Sequence, residues 1–403
     1  MPITNRGPAL IRVLFAERVI PNYRLGAFRL LASRPGIHLT VSYWSHRPPD
    51  EPPHIDNPSG FEVVEFSPLQ WDTDGRLRWF NFSLLSYIFR HRPDVVIAGF
   101  ATFGTNSLVN YCLERLCTVL AGTRFIYRVS AALPSGNGRW GRALRQRWHA
   151  LYYRRATILA YGGRAAQEIV QQGCSPDRIS IDYNSMDTRQ LHRLRQKYET
   201  DRDAWQREFL VEYGLERPGY VLFASRIYEA KRVDVLINAW RLVVEQLPSA
   251  HLVILGSGEK KADAVRQAAD LGSSVTFVNG IYDHDLLARF YILASLVVFP
   301  GCASLSTHFA MCFGRPVVCS NRGGNELEYV LDGENGLLFN YGDSRDLAEK
   351  LLELLRNSDL RQQYGNRADS LVREKINIDH MVDVIAETIR RVHDGALSSA
   401  YCE

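Results

Sequence analysis

Short apolar runs alternate with segments of helical spacing along most of the chain. The runs occupy 11–17, 38–44, 61–66, 94–100, 124–129 and 157–162, and then 220–226, 251–258, 275–280, 296–300, 315–320 and 335–339. Short continuous apolar runs are typical of strands that are buried on both faces of a parallel sheet. The pattern therefore predicts an α/β fold with two facing Rossmann-like domains and a cleft between them.

A charged, helix-favouring stretch separates the two series of strands. We predict a first Rossmann-like domain over 1–190, a helical connection over 191–216, a second Rossmann-like domain over 217–375, and a C-terminal helix in 376–403 that crosses back to the first domain. The charge changes sign near this boundary. Residues 1–190 contain 23 Arg, no Lys and 14 Asp plus Glu, a net charge of +9, which leaves −5 for the rest of a chain whose total is +4. A basic half of this kind often meets phosphate or anionic lipid.

Composition places the chain among globular proteins. It has 403 residues, 46% hydrophobic and 23% charged, which excludes disordered and collagen-like classes. No apolar run approaches the roughly 18 residues of a membrane span, and Arg12 and Glu17 interrupt the N-terminal apolar stretch before a signal-peptide core forms. We therefore expect a cytoplasmic protein. The seven cysteines have irregular spacing and no C-x-x-C pair, so we expect reduced thiols and no metal.

The loop after the strand at 220–226 carries two cations, Arg226 and Lys231, ahead of a predicted helix. Ligands of open α/β sheets bind at the carboxyl ends of the strands. A guanidinium fork, an ammonium and a helix N-terminus together suit a diphosphate, although solvated loop cations would have the same pattern. Gly256 lies in a Gly-x-Gly turn after the next strand, which a tight turn alone would explain.

A third strand-end loop opens the segment "FPGCASLSTHFAMCFGRPVV" (299–318). Small or turn-compatible residues stand where the chain enters a helix: Gly301, Ala303, Ser304 and Leu305. Amides at a helix start favour an anion, and Gly314 suits the C-terminal end of the same helix. This loop is therefore a second candidate for binding an anion.

These ordered landmarks resemble one family, the retaining glycosyltransferases of the GT-B architecture, group 1 and family 4-like. The stretch "SRIYEAKRVDVLINAW" (225–240) is similar to its Gly-Arg-x4-Lys-Gly-x-Asp-x-Leu-Ile-x-Ala stretch. Further similar segments follow in the family's order: "VILGSGE", "VTFVNGIY", "LASLVVFPG" and "AMCFGRPVVCSNRGGNELEYVLDGENGLLF". The segment "SPDRISIDYNSMD" (175–187) resembles the exit from the family's first domain. The resemblance is strong over about 220–340 and weak before 150.

The resemblance implies roles for individual residues. Arg226 and Lys231 would hold the donor diphosphate and stabilise it as it departs. The family's Glu-x7-Glu positions fall on Gly301 and Phe309, so both acids are missing. Thr307 or His308 would replace the ribose contact, with a surface histidine or a satisfied core histidine as the alternative. Of two acids on the following loop, Glu326 and Glu328, we take Glu328 as a further donor-site candidate, and a helix-start acid without a ligand role is the alternative.

The first domain offers weaker candidates at its strand ends. Tyr23, Arg24 and Gly26 follow the first strand, and Arg128 ends the strand at 124–129. The resemblance implies an acceptor site or cleft at these positions, whereas structural turn residues would have the same pattern. No carboxylate or histidine of this domain stands out as a base, so we name no nucleophile.

The run "RWGRALRQRWHALYYRRA" (139–156) is basic and amphipathic. Apolar residues recur at helical spacing among its arginines: Trp140, Leu144, Trp148, Leu151 and Tyr152. Such a helix can lie on an anionic membrane, and an ordinary core helix with an arginine-rich solvent face is the alternative. No nucleic-acid motif accompanies the run, so we expect no nucleic-acid partner.

The sequence therefore predicts a glycosyltransferase that moves a sugar from a nucleotide sugar to a glycan or lipid-linked acceptor with retention. The reaction would need no cofactor, since the nucleotide sugar is itself a substrate, and would take place in the cytoplasm or at the inner face of the membrane. The alternative is a catalytically degenerate GT-B protein that serves another glycosyltransferase as a binding or scaffold subunit. A nicotinamide-dependent oxidoreductase is disfavoured because G-x-G-x-x-G does not follow the first strand.

Overall fold

The computed structural model divides the chain into two compact units, Met1–Asn184 with Ile378–Glu403, and Ser185–Asn377. The structure describes residues 10–45, 58–73, 76–99, 103, 107–130, 152–303, 305–324 and 326–395. Each unit contains one large parallel sheet with helices, so the predicted α/β class with two Rossmann-like sheets is confirmed.

The first unit is built on a seven-stranded parallel sheet. Its strands are β1 (Ile11–Ala16), β2 (Ile37–Trp44), β3 (Glu62–Phe66), β6 (Val95–Ala98), β7 (Arg124–Val129), β8 (Thr157–Ala160) and β9 (Ile179–Ile181), in the order β3-β2-β1-β6-β7-β8-β9. Two further strands, β4 (Leu69–Thr73) and β5 (Arg76–Phe80), form a separate antiparallel pair that the sequence did not lead us to predict. The strand order reverses direction between β1 and β6, and a ligand of such a sheet binds at the carboxyl ends on either side of that point.

Among the described residues of the first unit, four helices precede the second unit in the chain: α1 (Asn22–Ala32), α2 (Phe82–His91), α3 (Ser107–Ala121) and α4 (Gly163–Gln171). The amide of Leu84 donates to the Asn81 side chain, which caps α2. Helix α1 buries Leu25, Phe28 and Leu31 against the sheet, because these residues recur at helical spacing.

The second unit is built on a six-stranded parallel sheet. Its strands are β10 (Tyr220–Ala224), β11 (Leu252–Leu255), β12 (Val275–Val278), β13 (Ala294–Phe299), β14 (Val317–Ser320) and β15 (Gly336–Phe339), in the order β12-β11-β10-β13-β14-β15. Its helices are α5 (Thr188–Thr200), α6 (Arg202–Glu212), α7 (Val233–Gln246), α8 (Lys261–Gln267), α9 (His284–Leu293), α10 (Leu305–Cys312), α11 (Glu326–Tyr329), α12 (Ser344–Arg356) and α13 (Ser358–Glu374). Here the strand order reverses between β10 and β13.

The charged stretch predicted as a connection over 191–216 is part of the second unit in the structure. It forms α5 and α6, and Phe209 packs edge-to-face against Phe290 of α9 with ring centroids 4.7 Å apart. The division between the units falls after Asn184 rather than at 190. The aromatic residues on these helices give them a buried face, which the high charge of the stretch concealed.

The last described helix, α14 (Ile378–His393), belongs to the first unit. It buries Met381, Val382, Ile385 and Ile389 in the same core cluster as α1. In the part of the chain that the structure describes, no helix is long and apolar enough to cross a membrane.

Most of the basic amphipathic run at 139–156 lies outside the described residues. Its last part is described, and there Tyr152 and Tyr153 are buried while Arg154 and Arg155 are exposed. Tyr152, predicted on the apolar face of the run, instead packs against Tyr127 with ring centroids 5.2 Å apart. This side chain therefore belongs to the core of the first unit.

Candidate active site

The two predicted cations of the second unit lie on the loop that follows β10, beside the reversal of strand order. Arg226 is exposed, whereas Lys231 is only 6% exposed. Both lie over one aromatic ring, that of Tyr228, with the Arg226 guanidinium carbon 5.2 Å and the Lys231 Nζ 5.5 Å from the ring centroid. Tyr228 was missed in the sequence, although its place between two cations on a strand-end loop was a usable signal.

The ammonium group of Lys231 is buried, and few neighbouring groups offset its positive charge. Its Nζ donates a hydrogen bond to the backbone carbonyl of Cys302 at 2.5 Å. Among the described residues, no carboxylate lies within ion-pair distance of it. Burial lowers the pKa of Lys231, while Cys302 and Glu326 act to raise this pKa and Arg226 lowers it further. An anion bound at this ammonium would supply the missing charge.

The loop after β13 is pressed against the loop that carries Lys231. A Cβ on Gly301 would lie 2.0 Å from the Ala230 carbonyl oxygen and 2.8 Å from the Lys231 carbonyl carbon. The Cys302 amide donates to the same Ala230 oxygen at 3.2 Å. Only glycine fits this approach. Gly301 therefore brings the two predicted loops together and sets the Cys302 carbonyl against Lys231.

Gly256 has a packing role of the same kind. A Cβ there would lie 2.1 Å from the Ser225 carbonyl oxygen, next to Arg226. The amide of Ile227, which follows Arg226, donates a hydrogen bond to the backbone carbonyl oxygen of Ser257 at 2.9 Å. The Gly-x-Gly turn thus supports the backbone of the cation loop.

Predicted donor-site residues continue from the loop after β13 into the helix that follows, α10. Ala303 and Phe309 are buried and Leu305 is half-buried, while Ser304 lies outside the described residues. Phe309 packs against Tyr291 at 4.7 Å and stacks on Phe313 at 5.2 Å between ring centroids. Phe309 thus lies in an aromatic core rather than at the loop surface. An apolar side chain suits this environment, although the family has an acid at the corresponding position.

His308 and Thr307 are completely buried. The Nε2 of His308 lies 2.6 Å from the carbonyl oxygen of Ile376 and so carries the hydrogen, which leaves Nδ1 as an acceptor without a partner. Thr307 Oγ1 also has no hydrogen-bond partner in the part of the chain that the structure describes. Burial lowers the pKa of His308 to about 4, so the ring is neutral near pH 7. The structure therefore places His308 in the core, as the alternative had it, and its ribose contact stays a prediction.

The two acids of the next loop differ in position. Glu326, at the start of α11, is completely buried, and its Oε1 accepts from the Gly324 amide at 3.0 Å. Glu328 is half-buried. Glu326 raises the pKa of Lys231, so its charge acts on the cation loop. The candidate chosen from the sequence was the other acid, Glu328.

The first unit has a cavity of 460 Å³ at the carboxyl edge of its sheet, which we call the tryptophan cavity. Strand-end residues line it, including Glu17, Arg18, Arg24, Trp44, Trp79, Asn81, Gly99, Arg128 and Tyr161. Arg24 and Arg128 were predicted here. Tyr23 and Gly26 were predicted with them but lie on α1, away from this lining.

Two arginines in the lining of the tryptophan cavity are neutralised by carboxylates of the same unit. Arg24 pairs with Glu17, and Arg128 pairs with the fully buried Asp182. Both guanidinium groups also approach the Tyr161 hydroxyl, that of Arg24 at 3.0 Å. The aromatic side chains and paired charges suit a polar, uncharged ligand such as a sugar ring.

Two α/β units with parallel sheets, and a cation loop at the strand-order reversal of the second, define a GT-B protein. Residues 218–357 match the protein family described as Glycosyl transferases group 1. Over 94% of this chain and 100% of the other, the fold is similar to that of Anabaena HepE in complex with UDP, with a TM-score of 0.67 at 17% identity. Residues 218–357 are therefore similar to the Glycosyl transferases group 1 family, and the fold is that of GT-B proteins, which confirms the resemblance to GT-B glycosyltransferases drawn from the sequence.

The curated relatives match less than half of this chain. Spore coat protein SA of Bacillus subtilis is 29% identical over 174 residues, which are 39% of this chain and 45% of that protein. Poly(ribitol-phosphate) alpha-N-acetylglucosaminyltransferase of Staphylococcus aureus is 27% identical over 162 residues, 40% of this chain and 33% of that protein. The matches thus span less than half of the length of these relatives.

Proposed function

We propose that the protein transfers a sugar from a nucleotide-diphosphate donor to a glycan or lipid-linked acceptor, with retention of configuration. The observation that carries this proposal is the buried Lys231 ammonium, which has one carbonyl partner and no carboxylate within ion-pair distance among the described residues. A buried charge without a counter-ion is costly, and a diphosphate would supply that counter-ion.

Lys231 and Arg226 would then act on the reaction as well as on binding. As the bond between the sugar and the diphosphate breaks, negative charge grows on the leaving oxygen. Two preplaced cations stabilise this charge without reorganisation. Retaining transfer without a covalent intermediate requires little more than this stabilisation and an oriented acceptor. We propose that no metal or other cofactor takes part.

The tryptophan cavity would take the acceptor sugar. Arg24 and Arg128 are already paired with carboxylates, and Arg18 is exposed at the rim. The interior of the cavity therefore offers mainly hydrogen-bonding groups and aromatic faces. The S. aureus relative is named for a sugar transfer to a ribitol-phosphate polymer, which supports a glycan acceptor as one class to test. We propose a cytoplasmic site of action, at the inner face of the membrane when the acceptor is lipid-linked.

The test is thermal stabilisation by UDP, GDP, ADP and dTDP and their sugars. UDP comes first because the Anabaena neighbour contains it. At about 100 times its Kd, the cognate nucleotide should stabilise the protein by roughly 2–3 kcal/mol. Lys231→Ala should lose this stabilisation, and Lys350→Ala, which changes a lysine of α12, should keep it. If none of the nucleotides stabilised the protein, the donor site would be refuted and the scaffold alternative favoured. With a cognate sugar, NMR of the product then reports the anomeric configuration.

A further inference from the structure

A second cavity in the first unit lies at the edge of the sheet opposite the tryptophan cavity. It has a volume of 680 Å³, and Arg124 and Thr157, the first residues of β7 and β8, both line it. Five arginines contribute to its wall: Arg115, Arg124, Arg154, Arg155 and Arg178. We call it the arginine cavity. It is at the amino ends of the strands, so it is separate from the proposed acceptor site.

The positive charge of the arginine cavity is largely uncompensated. Among the described residues, its lining contains one carboxylate, Glu114, which is 3% exposed. Glu114 Oε2 accepts from the Tyr127 hydroxyl at 2.5 Å and from the Tyr152 hydroxyl at 3.0 Å. Within the described ranges, four of the arginines form no ion pair: Arg115, Arg124, Arg154 and Arg155. This differs from the tryptophan cavity, where Arg24 and Arg128 each have a carboxylate partner.

An apolar helix face borders the arginine cavity. Helix α3 exposes Val109 by 40%, Leu116 by 43%, Val119 by 73% and Leu120 by 57%. Their spacing places them on one face, while Asn110, Glu114 and Cys117 are buried on another. Arg115 and Thr118 line the cavity and are the sequence neighbours of Leu116 and Val119. Large aliphatic side chains grouped in this way on a surface indicate an interaction site.

The arginine cavity and the apolar face of α3 together favour one kind of binding partner. A soluble polyanion would pair with the arginines and leave the apolar face in water. An anionic phospholipid bilayer offers phosphate groups at the depth of the arginines and hydrocarbon at the depth of the aliphatic side chains. We propose that this face of the first unit, formed by α3 and the arginine cavity, docks on an anionic phospholipid membrane. The proposal uses none of the residues 131–151 and does not depend on the proposed sugar transfer.

The experiment is vesicle flotation of the full chain, with vesicles of phosphatidylcholine alone and of phosphatidylcholine containing phosphatidylglycerol. Binding should require the anionic lipid. Removing two surface arginines, in Arg154→Gln with Arg155→Gln, should weaken binding about 30-fold. Val119→Ser with Leu120→Ser should weaken it about tenfold, because the apolar contact is lost.

Matched controls change the same residue types elsewhere. Arg90→Gln alters an exposed arginine of α2, and Val211→Ser alters a valine of α6 that is 76% exposed. Both should bind vesicles like the unaltered protein. All the changed side chains are exposed, so melting temperatures should stay the same and report folding independently.

Two results would overturn the proposal. One is the absence of binding to anionic vesicles by the unaltered protein. The other is vesicle binding that the α3 and cavity variants leave unchanged. A soluble polyphosphate that bound through Arg154 and Arg155, when vesicles do not bind, would identify the cavity as a polyanion site and would also contradict the membrane proposal.

Discussion

A buried cation lies at the carboxyl edge of each of the two sheets. The two cations differ in whether a carboxylate of the same unit neutralises their charge. In the first unit Arg128 pairs with Asp182, and side-chain exposure is 5% for the arginine and 0% for the aspartate. In the second unit Lys231 has only the Cys302 carbonyl as a hydrogen-bond partner among the described residues. A cation that the protein has already neutralised positions other groups, whereas one that it has not neutralised favours an anionic ligand. The comparison separates the proposed acceptor site from the proposed diphosphate site.

The largest expected effect comes from breaking the pair in the first unit. Asp182→Asn leaves the Arg128 guanidinium buried without its carboxylate, which should lower the free energy of unfolding by about 3 kcal/mol. Urea unfolding measures this change. Glu387→Gln, at an exposed position of α14, should leave the unfolding midpoint unchanged. A midpoint unaffected by Asp182→Asn would show that Arg128 does not need this partner.

The matching change in the second unit should have the opposite sign. Lys231→Met replaces a buried charge, which has no carboxylate within ion-pair distance among the described residues, by an apolar side chain of similar length. Without ligand it should raise the free energy of unfolding by about 1 kcal/mol. Thermal unfolding measures this, with Lys350→Met as the control. A lower melting temperature would mean that the ammonium is stabilised within the unit, and the comparison between the two edges would fail.

The pH dependence sharpens the same contrast. Burial lowers the pKa of Lys231 from its ordinary value of 10.5, and a bound diphosphate favours the charged form. As pH rises through this lowered pKa, nucleotide affinity should fall and binding should take up a proton. The unfolded chain binds the proton more tightly than the folded one, so stability without ligand should rise over the same alkaline range.

Calorimetric titration in two buffers of different ionisation enthalpy measures the proton uptake. It should be absent in Lys231→Met. Affinity that follows pH in the same way in Lys231→Met would assign the titration to another group.

The smallest expected effect concerns the rim of the tryptophan cavity. The Arg18 guanidinium carbon lies 5.6 Å from the centroid of a Trp44 ring, and Arg18 is exposed. Arg18→Ala should raise the KM for the acceptor about threefold, the loss of one exposed cation–π contact, and leave nucleotide affinity unchanged. Steady-state kinetics with the donor saturating separates the two constants. An equal loss of donor affinity would contradict the division of roles between the units.

Much of the architecture followed from hydrophobic periodicity. Buried parallel strands are continuous apolar runs, so the strands of both large sheets except β9 were predicted near their observed positions. The pair β4 and β5 was not predicted. Its signal was the alternation of apolar and polar residues on either side of Asp74-Gly75, a turn sequence typical of hairpins.

The candidate site was less predictable because its partners are distant in sequence. Arg226 and Lys231 stand at a strand end and could be found there. The burial of Lys231 depends on Gly301, which lets the loop after β13 approach Ala230, and no local pattern reveals that contact. Likewise, the pairing of Arg128 with Asp182 joins residues 54 positions apart. The inward direction of Phe309 depends on which face of α10 meets the aromatic core.

The most direct measurement is a calorimetric titration of the unaltered protein and of Lys231→Met with the nucleoside diphosphate that stabilises the protein most. The account predicts saturable binding to the unaltered protein and affinity about 100-fold lower for the variant, because a charge-assisted contact is lost from a buried site. Equal affinities for the two proteins would contradict the claim that Lys231 is the uncompensated cation of a diphosphate site.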